Sequence, residues 1–364
     1  MKLKEITDCI EEIAPLAFQE EYDNSGLLIG SPELEVQKVL ITVDVTEEIM
    51  DEAMEKGCNM VISHHPVIFK GLKHLTGGHF SERITMNAIK NGIAVYAAHT
   101  NLDNASGGLN KYLITKMGIR NPSILSPVKG LLCKLVTFCP LEFADKVRQS
   151  LFDAGGGNIG NYDLCSYNLQ GQGTFRALDN ANPFVGEKNK IHFENEIRIE
   201  VIFPSYLEKQ LVNALLDSHP YEEVAYDLYP LNNTYPKMGA GMIGELESEE
   251  DERAFLQKIK DLLNLPVIRH SGWLNVKIKK VAVCGGSGVF LLPVAKKAGA
   301  DIFLTGDVKY HDFFEAQNEI ILADIGHYES EQFSKELIYS ILKEKFPNFA
   351  FLLAENDSNP VKYF

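Results

Sequence analysis

The densest chemical signal in this chain is Ser63-His64-His65-Pro66, two adjacent imidazoles that close the apolar run Met60-Val61-Ile62. Adjacent side chains on an extended strand point to opposite faces, so both rings reach one small volume only if the chain turns there. Pro66 restricts the backbone of His65 and helps to fix such a turn. Two further clusters carry the same kinds of side chain. In AAHTNLD (97–103), His99 ends an apolar strand and Asp103 follows four residues later. In GHYESEQFSKELIYSIL (326–342), a helix starting near Tyr328 sets His327 and Glu331 one turn apart, so that both converge on one point.

Each cluster alone has an ordinary explanation. A histidine pair is often incidental, Asp103 sits where an acid caps a following helix, and Glu331 reads as a solvated first-turn acid. Together they offer three imidazoles and two carboxylates: His64, His65, His327, Asp103 and Glu331. That donor set suits Zn, Fe, Mn or Co, and differs from the thiolate-rich set of a structural zinc site. Five ligands are generous for one cation. They suffice for two divalent cations roughly 3.5–4 Å apart that share a bridging carboxylate. His99 is the candidate catalytic residue, as a proton shuttle; it also reads as a neighbour of the ligands or as a hydrogen-bonded strand-end histidine. Asp307, Lys309 and His311 in TGDVKYHD are candidates for holding His327 or for contacting substrate, and a surface turn explains them equally well.

The elements that must position these residues repeat. VLITVDVTEEIMDEAMEKGCNMVIS (39–63) and VAVCGGSGVFLLPVAKKAGADIFLT (281–305) both give a β-branched strand, a helix-length segment, a glycine turn and a second apolar strand. Val39 and Val281, Ala53 and Ala295, Gly57 and Gly299, and Ser63 and Thr305 match at one constant offset. A further apolar strand follows in each half, ending at His99 and at His327. This is the rhythm of a duplicated α/β core with mostly parallel central sheets, whose strand ends gather polar residues into a site.

Residues 131–232 differ in texture and read as an insertion. The order is strand (LLCKLVTFCP), helix, glycine-rich turn (GGGNIGNYD), two strands, helix (YLEKQLVNALLDSH) and strand, a ferredoxin-like α+β arrangement. The expected division is therefore a discontinuous metal-binding domain, 1–130 with 233–364, interrupted by a domain at 131–232.

Composition narrows the function. Fifty acidic against 35 basic residues give a net charge of −15, which argues against nucleic acid as a partner, because that affinity needs many Lys and Arg contacts. It leaves room for a small-molecule substrate, anionic ones included, since bound cations reverse the local field. The six cysteines form no CxxC pair and read as reduced structural thiols. The amino terminus reads as an amphipathic helix in place of a signal peptide, and no run of eighteen apolar residues predicts a membrane span; the expectation is a cytoplasmic protein. VCGGSG (283–288) lacks the spacing of a phosphate loop and of a nucleophile elbow.

SHHP at 63–66, AHTNLD at 98–103, TGDVKYHD at 305–312 and GHYESE at 326–331 resemble the signatures of the GTP cyclohydrolase 1 type 2 homologues, the Nif3-like dinuclear metal proteins. The likeness runs from YDNSGLLIG (22–30) to the carboxyl end. GNIGNYDLCSYNLQGQGTF and HPYEEVAYDLYPL resemble the PII- or CutA-like insertion of the longer members. The resemblance implies a homohexameric toroid, a trimer of dimers, with metal sites facing an interior cavity. It implies one metal on His65 and Asp103, the other on His64 and His327, and Glu331 between them. It also implies hydrolysis, as in opening of the GTP imidazole ring with loss of formate. A non-catalytic metal-binding scaffold or regulator is the competing reading. The chain departs from the family pattern at Tyr22, where Trp is common, and at Met242, where many members carry an Arg suited to an anionic substrate.

Overall fold

The computed structural model describes all 364 residues, which divide into two compact units. One comprises residues 1–127 with 237–364, the other 128–236. Sequence texture placed the junctions at 130/131 and 232/233. They fall a few residues further out because each lies inside a strand, Arg120–Lys129 and Thr234–Asp251, with no linker composition to mark it.

The first unit holds two sheets. In one, five strands lie in the order Gly26–Ile29, Ala94–Ala97, Met60–Ser63, Lys38–Thr42, Ala350–Leu353. All its pairings are parallel except that of Gly26–Ile29 with Ala94–Ala97. The β-branched runs of these strands place Leu40, Val61 and Val95 on one face, where Ile49, Met50 and Ala53 of helix Glu47–Glu55 pack with Ile84 and Ala88 of helix Phe80–Asn91. Val39 and Ile41, on the opposite face, are equally buried, and helix Ser334–Lys345 covers that side. A strand covered on both faces has no polar alternate positions, which is why these runs are continuously apolar. Burying each such side chain is worth about 1.5–3 kcal/mol. The Thr46 hydroxyl accepts from the Ile49 N–H and starts helix Glu47–Glu55, with Glu47 and Glu48 in its first turn.

The second sheet has six strands in the order Arg269–His270, Ile321–Asp324, Ile302–Thr305, Lys277–Val283, Thr234–Asp251, Arg120–Lys129. Its three central strands are parallel, with Ala282, Phe303 and Leu322 in register and packed on Leu292 and Ala295. Leu40 pairs with Val61 in the first sheet as Ala282 pairs with Phe303 here, at the offset seen in the sequence. The expectation of a mostly parallel sheet holds for the first sheet and needs correction for the second. There, Arg269–His270 and Thr234–Asp251 both pair antiparallel, because they lie outside the repeated segment and join its two edges.

The unit 128–236 is a four-stranded antiparallel sheet, Tyr167–Arg176, Ile191–Pro204, Leu132–Pro140, Tyr226–Leu231. Helices Ala144–Asp153 and Glu208–Ser218 bury Val147, Leu151, Leu211 and Leu215 against Leu135, Ile199, Val201 and Phe203. No helix of the chain is long and apolar enough to cross a membrane.

Candidate metal centre

The three clusters meet at the strand ends of the first unit. His64 and His65 follow strand Met60–Ser63; Asp103 lies in the short helix Thr100–Asn104; His327 and Glu331 open and close helix His327–Glu331. Asp103 is thus inside a helix of its own, while the next helix, Leu109–Lys116, has Gly108 at its N-cap; the capping explanation does not apply.

Every imidazole here has its Nδ1 occupied. His64 Nδ1 lies 2.8 Å from the Ala98 carbonyl oxygen, His65 Nδ1 2.7 Å from Asp44 Oδ1, His99 Nδ1 2.7 Å from Asp23 Oδ1, and His327 Nδ1 2.7 Å from Asp307 Oδ2. Carbonyl and carboxylate oxygens only accept, so each Nδ1 carries the proton. In a neutral ring Nε2 is left as a bare lone pair, the arrangement a ligating histidine requires. Asp44 and Asp23 were not among the residues read from sequence, and Asp307 takes the His327-holding role weighed for it. Lys309 and His311 are exposed, and the His311 ring lies against those of Tyr310 and Phe314.

The Nε2 atoms converge on the acids in two sets that share Glu331. His64 Nε2 stands 3.7 Å from both Asp103 Oδ1 and Glu331 Oε1. His65 Nε2 and His327 Nε2 stand 2.9 and 3.0 Å from Glu331 Oε2, and 3.3 Å from each other. The resemblance implies one metal on His65 and Asp103 and the other on His64 and His327; in this geometry His64 Nε2 lies nearer Asp103, and His65 Nε2 lies beside His327 Nε2. Consecutive residues in the turn after Ser63 face different walls, which linear order does not reveal.

The fit to cations rests on atoms left without partners. His64 Nε2, Asp103 Oδ1 and Glu331 Oε2 are all buried and accept or donate no well-aligned hydrogen bond. An unpaired buried polar group costs about 1–3 kcal/mol, and three together call for a ligand. Ligand atoms bound at about 2.0–2.2 Å around one tetrahedral cation stand roughly 3.3–3.6 Å apart, close to the spacings seen. Two overlapping groups of His, Asp and Glu thus have the capacity for a pair of metal ions. His99 adds a third grouping with His64 and His65, its ring edge-on to theirs at centroid distances of 5.4 and 5.2 Å.

Without cations, the charges are in tension. Burial lowers the affinity of His65 and His327 for a proton, but Asp44 with Glu331, and Glu331 with Asp307, outweigh it and hold them at about 10 and about 9. Burial pushes the Glu331 carboxyl up, and His64, His327 and His65 overcome this and keep it well below its ordinary value. Burial wins at Asp103, which is raised despite His64. Divalent cations would replace those ring protons as the counter-charge.

Glycines shape the floor. Gly286 adopts φ +60°, and a Cβ there would collide with Glu331 Oε1. At Gly306 a Cβ would lie 2.8 Å from the His327 backbone nitrogen. VCGGSG is therefore a site of close backbone approach to Glu331. The cavity of about 380 Å³ over these residues is walled by Glu20, Tyr22, Phe69, Cys284, Ser287 and Phe290 among others. Tyr22 lies at its mouth, 6.3 Å from the Phe69 ring. Met242 is buried in strand Thr234–Asp251, and its neighbours Ala240 and Gly241 form the wall instead.

The family model of Duf34/NIF3 (NGG1p interacting factor 3) matches residues 1–360. A protein of Bacillus subtilis (strain 168) named GTP cyclohydrolase 1 type 2 homolog is 38% identical over 366 residues, covering 99% of this chain and 98% of that protein. Among solved structures, a Bacillus cereus protein related to NIF3 superposes with a TM-score of 0.87 at 37% identity, over 100% of this chain and 99% of the other. Staphylococcus aureus protein SA1388 superposes at 0.80 and 30% identity, over 100% and 99%.

Proposed function

This chain belongs to the Duf34/NIF3 family, and on that premise we propose that the cavity is the active site of a dinuclear metal-dependent hydrolase. The observation that carries the reading is the pair of three-ligand sets sharing Glu331, with the Nδ1 of each histidine already tied down. His64 and Asp103 would hold one cation and His65 and His327 the other, with Glu331 offering Oε1 to the first set and Oε2 to the second. The cations are Zn, Fe, Mn or Co, as borderline N,O ligands favour. A bound pair supplies a water of lowered pKa and polarises the bond under attack. The rest falls to the chain's own side chains. Asp23 fixes the His99 tautomer, so His99 Nε2 takes a proton on the cavity side and returns it to the leaving group. Tyr22, Phe69 and Phe290 give the mouth flat apolar walls against which a ring can lie.

The reactions that suit this arrangement are opening of the GTP imidazole ring with release of formate, or hydrolysis of a related small anionic or cyclic amide substrate. The test is a turnover screen over GTP, phosphodiesters and cyclic amides, with metal analysis, for the native protein and Glu331→Ala. The variant should lose one or both cations and all hydrolysis. Turnover unchanged in Glu331→Ala would overturn the mechanism.

The proposal extends to the whole molecule. The shared register of the two parallel strand triplets supports an ancient duplication. The antiparallel order and two-helix face of 128–236 support a PII- or CutA-like, ferredoxin-like insertion at the expected 131–232. We read the assembly as a homohexameric toroid of three dimers and the compartment as cytoplasmic, in keeping with six unpaired cysteines.

A further inference from the structure

The two histidines on the Glu331 Oε2 side are held unequally. His327 leans on Asp307, whose side chain is 54% exposed. His65 leans on Asp44, and Asp44 is itself gripped from the far end of the chain. The Ser358 hydroxyl donates to Asp44 Oδ2 at 3.2 Å, and the Asp44 N–H approaches the same hydroxyl oxygen at 3.4 Å. Ser358 is buried although it lies beyond the last strand, Ala350–Leu353, in a stretch without helix or strand.

That stretch is tied down on both sides of the centre. Glu52 accepts the N–H groups of Glu355 and Asn356 at 2.9 and 3.1 Å, and the Asn356 side-chain amide at 2.8 Å. Glu329 accepts from the Asn359 amide and the Tyr363 hydroxyl, each at 3.3 Å. Tyr328, next to His327, hydrogen-bonds to Asp357. The tail therefore touches the outer partner of His65 and the two residues after His327. His64 needs no such support, because its partner is the backbone carbonyl of Ala98.

We propose that the carboxy-terminal segment 355–363 is a clasp for the metal centre, and that Ser358 is a positioning residue acting through Asp44 on His65. The inference rests on the dinuclear reading above. A carboxylate orients a ligating ring only as firmly as it is itself held, and outer partners of this kind are worth about 10–100-fold in metal affinity. The effect belongs to one cation of the two: the one on His65 and His327.

The test is calorimetric titration of the metal-free full chain with Co²⁺, read together with cobalt visible absorption, for the native protein, Ser358→Ala and Ser358→Thr. The native chain should take up two cobalt ions. Ser358→Ala should keep one at native affinity and bind the other about tenfold more weakly, with a changed spectrum for that ion alone. Ser358→Thr, which keeps the hydroxyl, should restore both. Two ions bound with native affinities and spectrum in Ser358→Ala would overturn the clasp. Equal weakening of both ions alongside a lowered melting temperature would overturn it too, because Ser358 would then be only a general support. Fewer than two cobalt ions on the native chain would overturn the dinuclear reading itself.

Discussion

A ring nitrogen is free to bind a metal or a proton when its opposite nitrogen is committed elsewhere, and four histidines here satisfy that condition through Ala98, Asp44, Asp23 and Asp307. Asp307→Ala frees His327 to rotate, so affinity for one of the two cations should fall about 10–100-fold while the other is kept, measurable by calorimetric titration. Gly286→Ala should act on both cations, since its methyl group would displace the shared carboxylate of Glu331. Metal analysis should show both occupancies reduced, with a loss of about 1 kcal/mol in stability from the left-handed backbone. The five candidate ligands and His99 were legible in the sequence as residue types at telling spacings, and the fold gathers these side chains into one cluster. Asp23, Asp44, Gly286 and the Ala98 carbonyl were not. Each acts through a contact made by folding, as when Asp44 reaches His65 across 21 residues or Asp23 reaches His99 across 76. Which imidazole lies nearest which acid stayed hidden for the same reason.

At the scale of elements, what matters is how firmly the strand ends are held. Helix Glu47–Glu55 braces the strand that leads into His64 and His65, and Thr46→Ala removes its cap. Chemical denaturation should show a loss of about 1 kcal/mol. Glu52 of the same helix anchors the tail. Burial would raise its carboxyl, but Lys56 and the N–H groups of Glu355 and Asn356 outweigh burial and hold it at about 2, against an ordinary 4.5. Because the folded value is the lower one, its stabilisation is complete above about pH 4.5 and fades as the pH falls towards 2. Urea unfolding of Glu52→Gln should show a deficit of about 2–3 kcal/mol at pH 7 that closes on acidification. The parallel strands were readable from their unbroken β-branched runs. Strand Thr234–Asp251 was not, because TYPKMGAGMIGELESEED is rich in glycine and acids and lacks that signature. The two-residue strand Arg269–His270 is too short to leave a pattern.

For the whole molecule, cation binding and folding are linked, since the ligand set assembles only in the folded chain. Removing metal with a chelator should lower the melting temperature by several degrees, and added Zn²⁺ or Co²⁺ should restore it; an unchanged melting curve would speak against a site built for metal. In solution the mass should correspond to six chains of 40.7 kDa. The sequence changes texture near residues 130 and 232, while the junctions of the two compact units, 127/128 and 236/237, lie within strands that run through them and carry no linker composition. The most direct measurement is anomalous diffraction from crystals loaded with zinc or cobalt. Two peaks about 3.5–4 Å apart should appear, one beside His64 and Asp103, the other beside His65 and His327, with Glu331 between them. A single peak, or Glu331 turned away from both, would contradict the dinuclear centre.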